Sequence, residues 1–457
     1  MKKPLVAAAA LLFASFSMAE VKPAELLDKT KPSVVVVQFT YAGELGRRDF
    51  AGMGVVVRED GLVMFSQDLT PRGLPDEQMQ DFKLLLPGDA ETEIDAEFLG
   101  RDERYGISYV KPKTDEKKWT PITFVDTAAA IGQTVHAVGL LPKMAGYNVY
   151  LTSAPVAATL RGPVPQVLVA GGGLSVIGSP VFNDKGDAIG FINSQPDRTV
   201  LLNDPRAPYA TVESPARLYT PAKDFLPAIA AAPKSGEPIK LPFMGITQLT
   251  GLSKDVAEFY GLKGRVAIQV GDVIPGFSAD RAGLKKGHII VNLEGKPLER
   301  GDLPEESPQI FTRTLSQKKV GDKVTLGVMT EKGAELKNIE ITLDERPAQA
   351  NTAARFYAED LGFTTRDAVF EDTYLRKLAK DAKGVAVTFI RPQSAAQAAQ
   401  MQPNDFVTQI NQTPVESIKQ FEETYNAFRK DKPKEAVVLE VLRQGNTQII
   451  RIEPPRE

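Results

Sequence analysis

Apolar residues along this chain fall into short blocks cut by turn residues, the spacing of strands and tight turns rather than of long helices. Pro32-Ser33-Val34-Val35-Val36-Val37 lacks polar alternation, so it predicts a buried strand. Gly52 to Val57, Arg58-Glu59-Asp60-Gly61 and Leu62 to Phe65 read as strand, turn, strand. Between Gly171 and Ile192 the chain shows a glycine-rich turn, a short apolar strand, an Asn183-Asp184-Lys185-Gly186 hairpin signal and a second apolar strand. From Ala230 to Pro238 the composition shifts to Ala, Pro, Ser and Gly, which reads as a linker. Beyond it the chain repeats itself. Met244-Gly245-Ile246 and Leu361-Gly362-Phe363 lie 117 residues apart, as do Pro297 and Pro414.

A length of 457 residues calls for more than one domain. The formal charge of −3 argues against nucleic acid as a partner. The absence of cysteine excludes disulfides, thiol catalysis and thiolate metal sites. No glycine-rich phosphate loop and no metal-ligand cluster stands out, so neither cofactor nor metal is expected. Met1 to Ala19 has two lysines, an apolar run from Leu5 to Phe16 and the small-residue ending Ser17-Met18-Ala19, the pattern of a cleaved secretory signal. No later stretch is apolar for the length a bilayer requires, so no membrane span is expected after cleavage. An exported chain without cysteine suits a bacterial periplasm.

The Gly171–Ile192 stretch resembles the nucleophile segment of chymotrypsin-like serine proteases, above all of the HtrA/DegP family. There the motif reads Gly-Asn-Ser-Gly-Gly-Pro before the apolar strand. Laying Pro180, Asn183, Gly186 and Gly190 on it puts Ile177 at the nucleophile. Gly52 to Asp68 resembles the family's strand, turn and strand leading to the catalytic histidine, whose place falls to Asp68. Asp102 to Val110 resembles the segment of the orienting aspartate, where this chain has Gly106. In the second half, Arg281 to Pro297 resembles the PDZ signature Ala-Gly-Leu-x-x-Gly-Asp-x-Ile-x-x-x-Asn-Gly. Its repeat, Ala399 to Asn411, lacks both turn glycines; Asn404 tolerates positive φ but Gln400 does so less readily, so a reshaped loop is expected there.

The resemblance implies a mostly β chain: a chymotrypsin-like double β-barrel over 20–229, a linker over 230–239, and two PDZ domains, α+β partly open barrels, over 240–347 and 348–457. All three triad places are substituted, so an inactive protease homologue is expected. Asp68 itself is expected to cap or solvate the turn before Pro71. Serine chemistry needs a base beside the hydroxyl, and the chain holds only His136 and His288, neither in a place the family uses. A different register puts Ser175 at the nucleophile, with Ser179 nearby, and Lys185 or Lys223 as the remaining bases; a divergent serine hydrolase is therefore the alternative.

PDZ domains take extended C-terminal peptides by adding a strand to a sheet edge. By resemblance, Phe243-Met244-Gly245-Ile246 and Leu361-Gly362-Phe363 form the carboxylate loop and first groove strand of the two modules. Helices at Ser307–Ser316 and Ser417–Phe428 are the facing walls, with Ile310 and Leu315, then Ile418, Phe421 and Tyr425, as pocket candidates. The expected partners are peptides or unfolded polypeptides, C-terminal segments among them. A homotrimer follows by family analogy alone, and chaperone, adaptor and regulatory roles all remain open.

Overall fold

In a computed structural model of the chain, residues 21–70, 73–114, 117–193, 218–233, 239–301, 303, 305–375 and 382–455 are described. The expected leader at Met1–Ala19 and residues 234–238 of the expected linker lie outside them.

The first barrel closes through the strands Val34–Gly43, Gly46–Val56, Val63–Ser66, Ile107–Pro112, Asp89–Asp102 and Met79–Leu86, each hydrogen-bonded to the next and the last to the first. The second closes in the same way through Pro180–Phe182, Ala188–Phe191, Leu218–Pro221, Gln166–Val169, Val149–Leu160 and Thr134–Leu140. The unbroken valine run at the start of the first barrel now has a reason. Side chains alternate along a strand. Val35, Val37 and Phe39 fill the first barrel with Val63 and Phe65. Val34 and Val36 point the other way, into a seam that also holds Met64, Val138, Phe191 and Phe225. That seam joins the two barrels, so both faces of one strand are core and neither can be polar.

The 117-residue repeat is visible atom by atom. Ala279 N donates to Met244 O at 2.9 Å, as Ala396 N does to Leu361 O at 3.0 Å. Ile274 N donates to Gly245 O at 2.8 Å, as Arg391 N does to Gly362 O at 2.8 Å. Gly287 N donates to Val270 O at 2.8 Å, as Asn404 N does to Val387 O at 2.8 Å.

The last pair corrects the expectation of a reshaped loop. Gly283 and Gly287 have φ of 82° and 86°, and their counterparts Gln400 and Asn404 keep the same left-handed turn at 59° and 72°. The surrounding ladder overrides the local preference. Met401, buried in the second module's core, and the bond from its N–H to Ala396 O at 3.1 Å hold the turn in shape. Left-handed backbone costs an ordinary residue on the order of 1 kcal/mol. Gln400→Gly should therefore stabilise the second module by about 0.5–1 kcal/mol, after allowing for the looser unfolded chain. Urea unfolding reads this directly, and an unchanged or lower midpoint would refute it.

Candidate functional site

The segments that carry Asp68, Gly106 and Ile177 are tied together around one buried amide that sequence reasoning did not single out, Asn193. Ser66 ends its strand, accepts a hydrogen bond from Asp68 N at 3.3 Å and donates from Oγ to Asn193 Oδ1 at 2.7 Å. Ser66 caps the short turn Gln67–Leu69, and the Asp68 side chain is exposed, the solvating alternative of the sequence expectation. Gln67 N donates to Gly106 O at 2.9 Å. Asn193 Nδ2 donates to Tyr105 O at 2.8 Å, and a Cβ on Gly106 would stand 3.1 Å from that nitrogen. Ile192 O, one residue earlier, accepts from Gly178 N at 2.7 Å, which fixes the loop that carries Ile177. Gly178 is pressed so closely onto the first barrel that a Cβ would lie 2.4 Å from Met53 O. The only sequence signal for Asn193 was its place at the end of the strand that follows the hairpin.

The three places carry an exposed carboxylate, a bare glycine and a hydrocarbon side chain. Ile177, 36% exposed, and Val176, 40% exposed, present hydrocarbon at the mouth. Gly106 has no side chain to orient a base. Asp102, on the same segment, is fully buried and held by Arg104 through Nε at 2.8 Å and Nη2 at 2.6 Å. That bond raises the Arg104 pKa above its ordinary value and turns the Asp102 carboxylate onto Arg104.

The alternative serines fare no better. Ser175 is 2% exposed and donates to Tyr150 Oη at 2.9 Å. Ser179 is 0% exposed and lies 3.3 Å from Met53 Sδ. Lys185 and Lys223 are exposed. His136 bonds through Nδ1 to Ser153 Oγ at 2.7 Å across its strand pair. His288 Nδ1 accepts from Lys285 N at 3.2 Å in the first module's turn. Burial, with Lys285 and Lys337 nearby, pulls the His288 pKa below its ordinary value, so it is neutral at pH 7. Among the described residues, no group of three or more His, Asp or Glu is arranged to hold a metal ion, and no helix is long and apolar enough to cross a membrane.

The two peptide-groove candidates differ. In the first module Met244 is buried and Phe243 pairs with Asp344. Gly245 takes φ 80° where a Cβ would lie 2.2 Å from Phe277 Cβ, so only glycine fits this loop. Ile246 opens the strand Ile246–Gly251, the end strand of its sheet, whose one partner there is Ile268–Val273. The helix Glu306–Ser316 faces it, with Leu315 buried and Ile310 half-buried; Phe311, not singled out from sequence, is the more deeply buried of the two neighbours. Between strand and helix lies a cavity of about 640 Å³, lined by Ile246, Leu249, Pro308 and Thr312 and, from the barrels, Glu103 and Val164. Arg313 ties that helix to the barrels through Pro163 O at 3.1 Å and Asp224 at 3.4 Å.

In the second module Leu361, Phe363, Ile418, Phe421 and Tyr425 are all buried in one core. The helix runs Ile418–Asp431, with Ser417 as its cap. The edge of Phe363–Asp367 is not open: the chain's own strand Arg355–Ala358 pairs with it. That strand therefore lies along the edge that the sequence led us to expect accessible.

Comparison with known proteins fits this geometry. A family model described as PDZ domain matches residues 360–453. A protein of Hahella chejuensis named "Probable periplasmic serine endoprotease DegP-like" is 26% identical over 427 residues, covering 87% of this chain and 79% of that one. A protein of the same name from Ectopseudomonas mendocina is 25% identical over 430 residues, covering 87% and 78%. Among solved structures, HtrA-type protease AlgW with a decapeptide matches at TM-score 0.53 and 16% identity, over 72% of this chain and 100% of that one. The same protease with a tripeptide matches at TM-score 0.53 and 17% identity, over 72% and 99%. At that identity the structural likeness shows the shared fold.

Asn193 holds the cleft segments together, so its removal should be felt in stability. Asn193→Ala leaves the Ser66 hydroxyl and Tyr105 carbonyl without their partner, at a cost of about 2 kcal/mol. Chemical denaturation checks this, and a loss below about 0.5 kcal/mol would show that water replaces the amide without penalty.

Proposed function

From a chain that is an HtrA/DegP-like protein by sequence relatives, fold and PDZ match, we propose an exported, periplasmic pseudoprotease that binds peptides or unfolded polypeptides through its first PDZ module. One observation carries the reading. The places that the family resemblance gives to nucleophile, base and orienting acid hold an isoleucine, an exposed aspartate and a glycine, while the outer edge of the first module's Ile246–Gly251 is unpaired among the described residues.

The chemistry follows from what each group can do. Attack on a carbonyl needs a lone pair on the attacking atom and a neighbour to take its proton. Ile177 offers neither, and the buried hydroxyls of Ser175 and Ser179 are bonded to a phenol and a thioether rather than to a base. Strand addition needs only unpaired backbone N–H and C=O groups beside an apolar wall. Ile246–Gly251 supplies the first, and Ile246, Leu249 and Pro308 line the second. The same binding mode fits a chain whose structural relative was solved with a decapeptide. Binding without cleavage is what a chaperone, an adaptor and a regulator of active relatives have in common.

Two measurements test the reading. An active-site-directed fluorophosphonate probe should leave the purified chain unlabelled; stoichiometric labelling that disappears in Ser175→Ala or Ser179→Ala would make it a serine hydrolase instead. Across a C-terminal peptide array, Ile246→Asp should lower binding at least about tenfold, since one charge in the groove costs more than about 1.4 kcal/mol. Equal binding by the variant would place the peptide site elsewhere.

A further inference from the structure

Antiparallel pairing fixes a direction as well as a partner. The strand Arg355–Ala358 runs toward the loop Glu359 to Gly362 and pairs with Phe363–Asp367 in the register Arg355↔Arg366, Phe356↔Thr365, Tyr357↔Thr364, Ala358↔Phe363. A C-terminal peptide whose carboxylate enters a nest of loop N–H groups must run the same way. The atoms agree with that comparison. Ala358 O accepts from Gly362 N at 2.7 Å, where a terminal carboxylate oxygen would sit.

The side chains behave as ligand side chains would. Ala358 is buried in the module's core. Two residues earlier, the Phe356 ring lies 5.3 Å from that of Tyr425 and 6.0 Å from that of Phe421, both on the facing helix. Tyr357 takes the other side and meets Arg391 Nη1 at 3.3 Å. Asp360, in the loop, bonds Tyr425 Oη and Arg429 Nε, which ties the loop to the far wall of the groove. The first module has no such strand: among the described residues its Pro242–Phe243 segment pairs with Asp344–Glu345 instead.

We propose that Arg355–Ala358 is a built-in ligand of the second PDZ groove, which is thereby selective for C-termini with a small last residue and an aromatic residue two places before it. The intact chain then offers external peptides one open groove, not two. This shares with the proposed function the premise that a PDZ edge takes peptide, but it concerns a different module and is read by difference. A tethered strand of intrinsic affinity on the order of 10 μM, held at an effective concentration on the order of 1 mM, weakens an external ligand by roughly 100-fold.

The test is titration of the full-length chain with a fluorescent peptide ending Arg-Phe-Tyr-Ala and bearing a free carboxylate. Phe356→Ser removes the aromatic anchor, and Tyr357→Pro keeps that anchor but breaks the ladder. Either variant, folded by circular dichroism, should gain one further equivalent of bound peptide, at an affinity on the order of 100-fold above that of the wild-type second groove. The corresponding carboxamide peptide should lose that gain. Folded variants with no added uptake, or a wild-type chain already binding at both modules, would overturn the proposal. So would unfolding of the second module in both variants, because the strand would then be an integral edge and not a ligand. A wild-type chain that binds no peptide at all counts against the first groove alone and leaves the comparison between variant and wild type intact.

Discussion

An unpaired sheet edge is a row of backbone donors and acceptors that something must satisfy, and each domain of this chain is shaped by how its edge is satisfied. The two barrels remove the problem by closing. The two PDZ modules cannot close and solve it differently. The first leaves Ile246–Gly251 at the end of its sheet, beside a cavity of mixed polar and apolar lining. The second lays its own Arg355–Ala358 along the corresponding edge. Two copies of one fold, matching to within a few tenths of an ångström in their defining hydrogen bonds, thus differ in the one property on which binding depends.

Main-chain bonds hold the segments around Asp68, Gly106 and Ile177 in place. Backbone bonds between Gln67 and Gly106, and between Gly178 and Ile192, still draw the three segments together. Asn193 fills the middle, bonding to Ser66 and to Tyr105 O, so the space is occupied by a structural amide. A buried polar group of this kind rigidifies its surroundings when it is satisfied. The arrangement of these segments is held by main-chain bonds and one amide, independent of the side chains at Asp68, Gly106 and Ile177.

Much of this was legible in the sequence. The valine run at Val34–Val37 announced a doubly buried strand, and the repeat between Met244-Gly245-Ile246 and Leu361-Gly362-Phe363 announced two copies of one module. What escaped depended on partners far away in sequence or on tertiary override of local preference. Asn193 is 127 residues from Ser66, and no local pattern marks such a pair. Gln400 was read by its intrinsic dislike of positive φ, yet the ladder around it sets φ at 59°. The filled groove escaped for a different reason: Arg-Phe-Tyr-Ala reads as an ordinary strand, and only pairing shows which edge it covers.

The placement of that strand also bears on how the chain comes to be folded. Arg355–Ala358 and Phe363–Asp367 are joined by a short turn, so their pairing is a local hairpin of the kind that forms within microseconds. The second module covers its adhesive border with material already in hand, before any distant segment arrives. Among the described residues the first module has no such neighbour along Ile246–Gly251, so that edge remains a template for pairing. During assembly at high concentration the surface most exposed to wrong pairing is therefore the same edge that is proposed to take peptide.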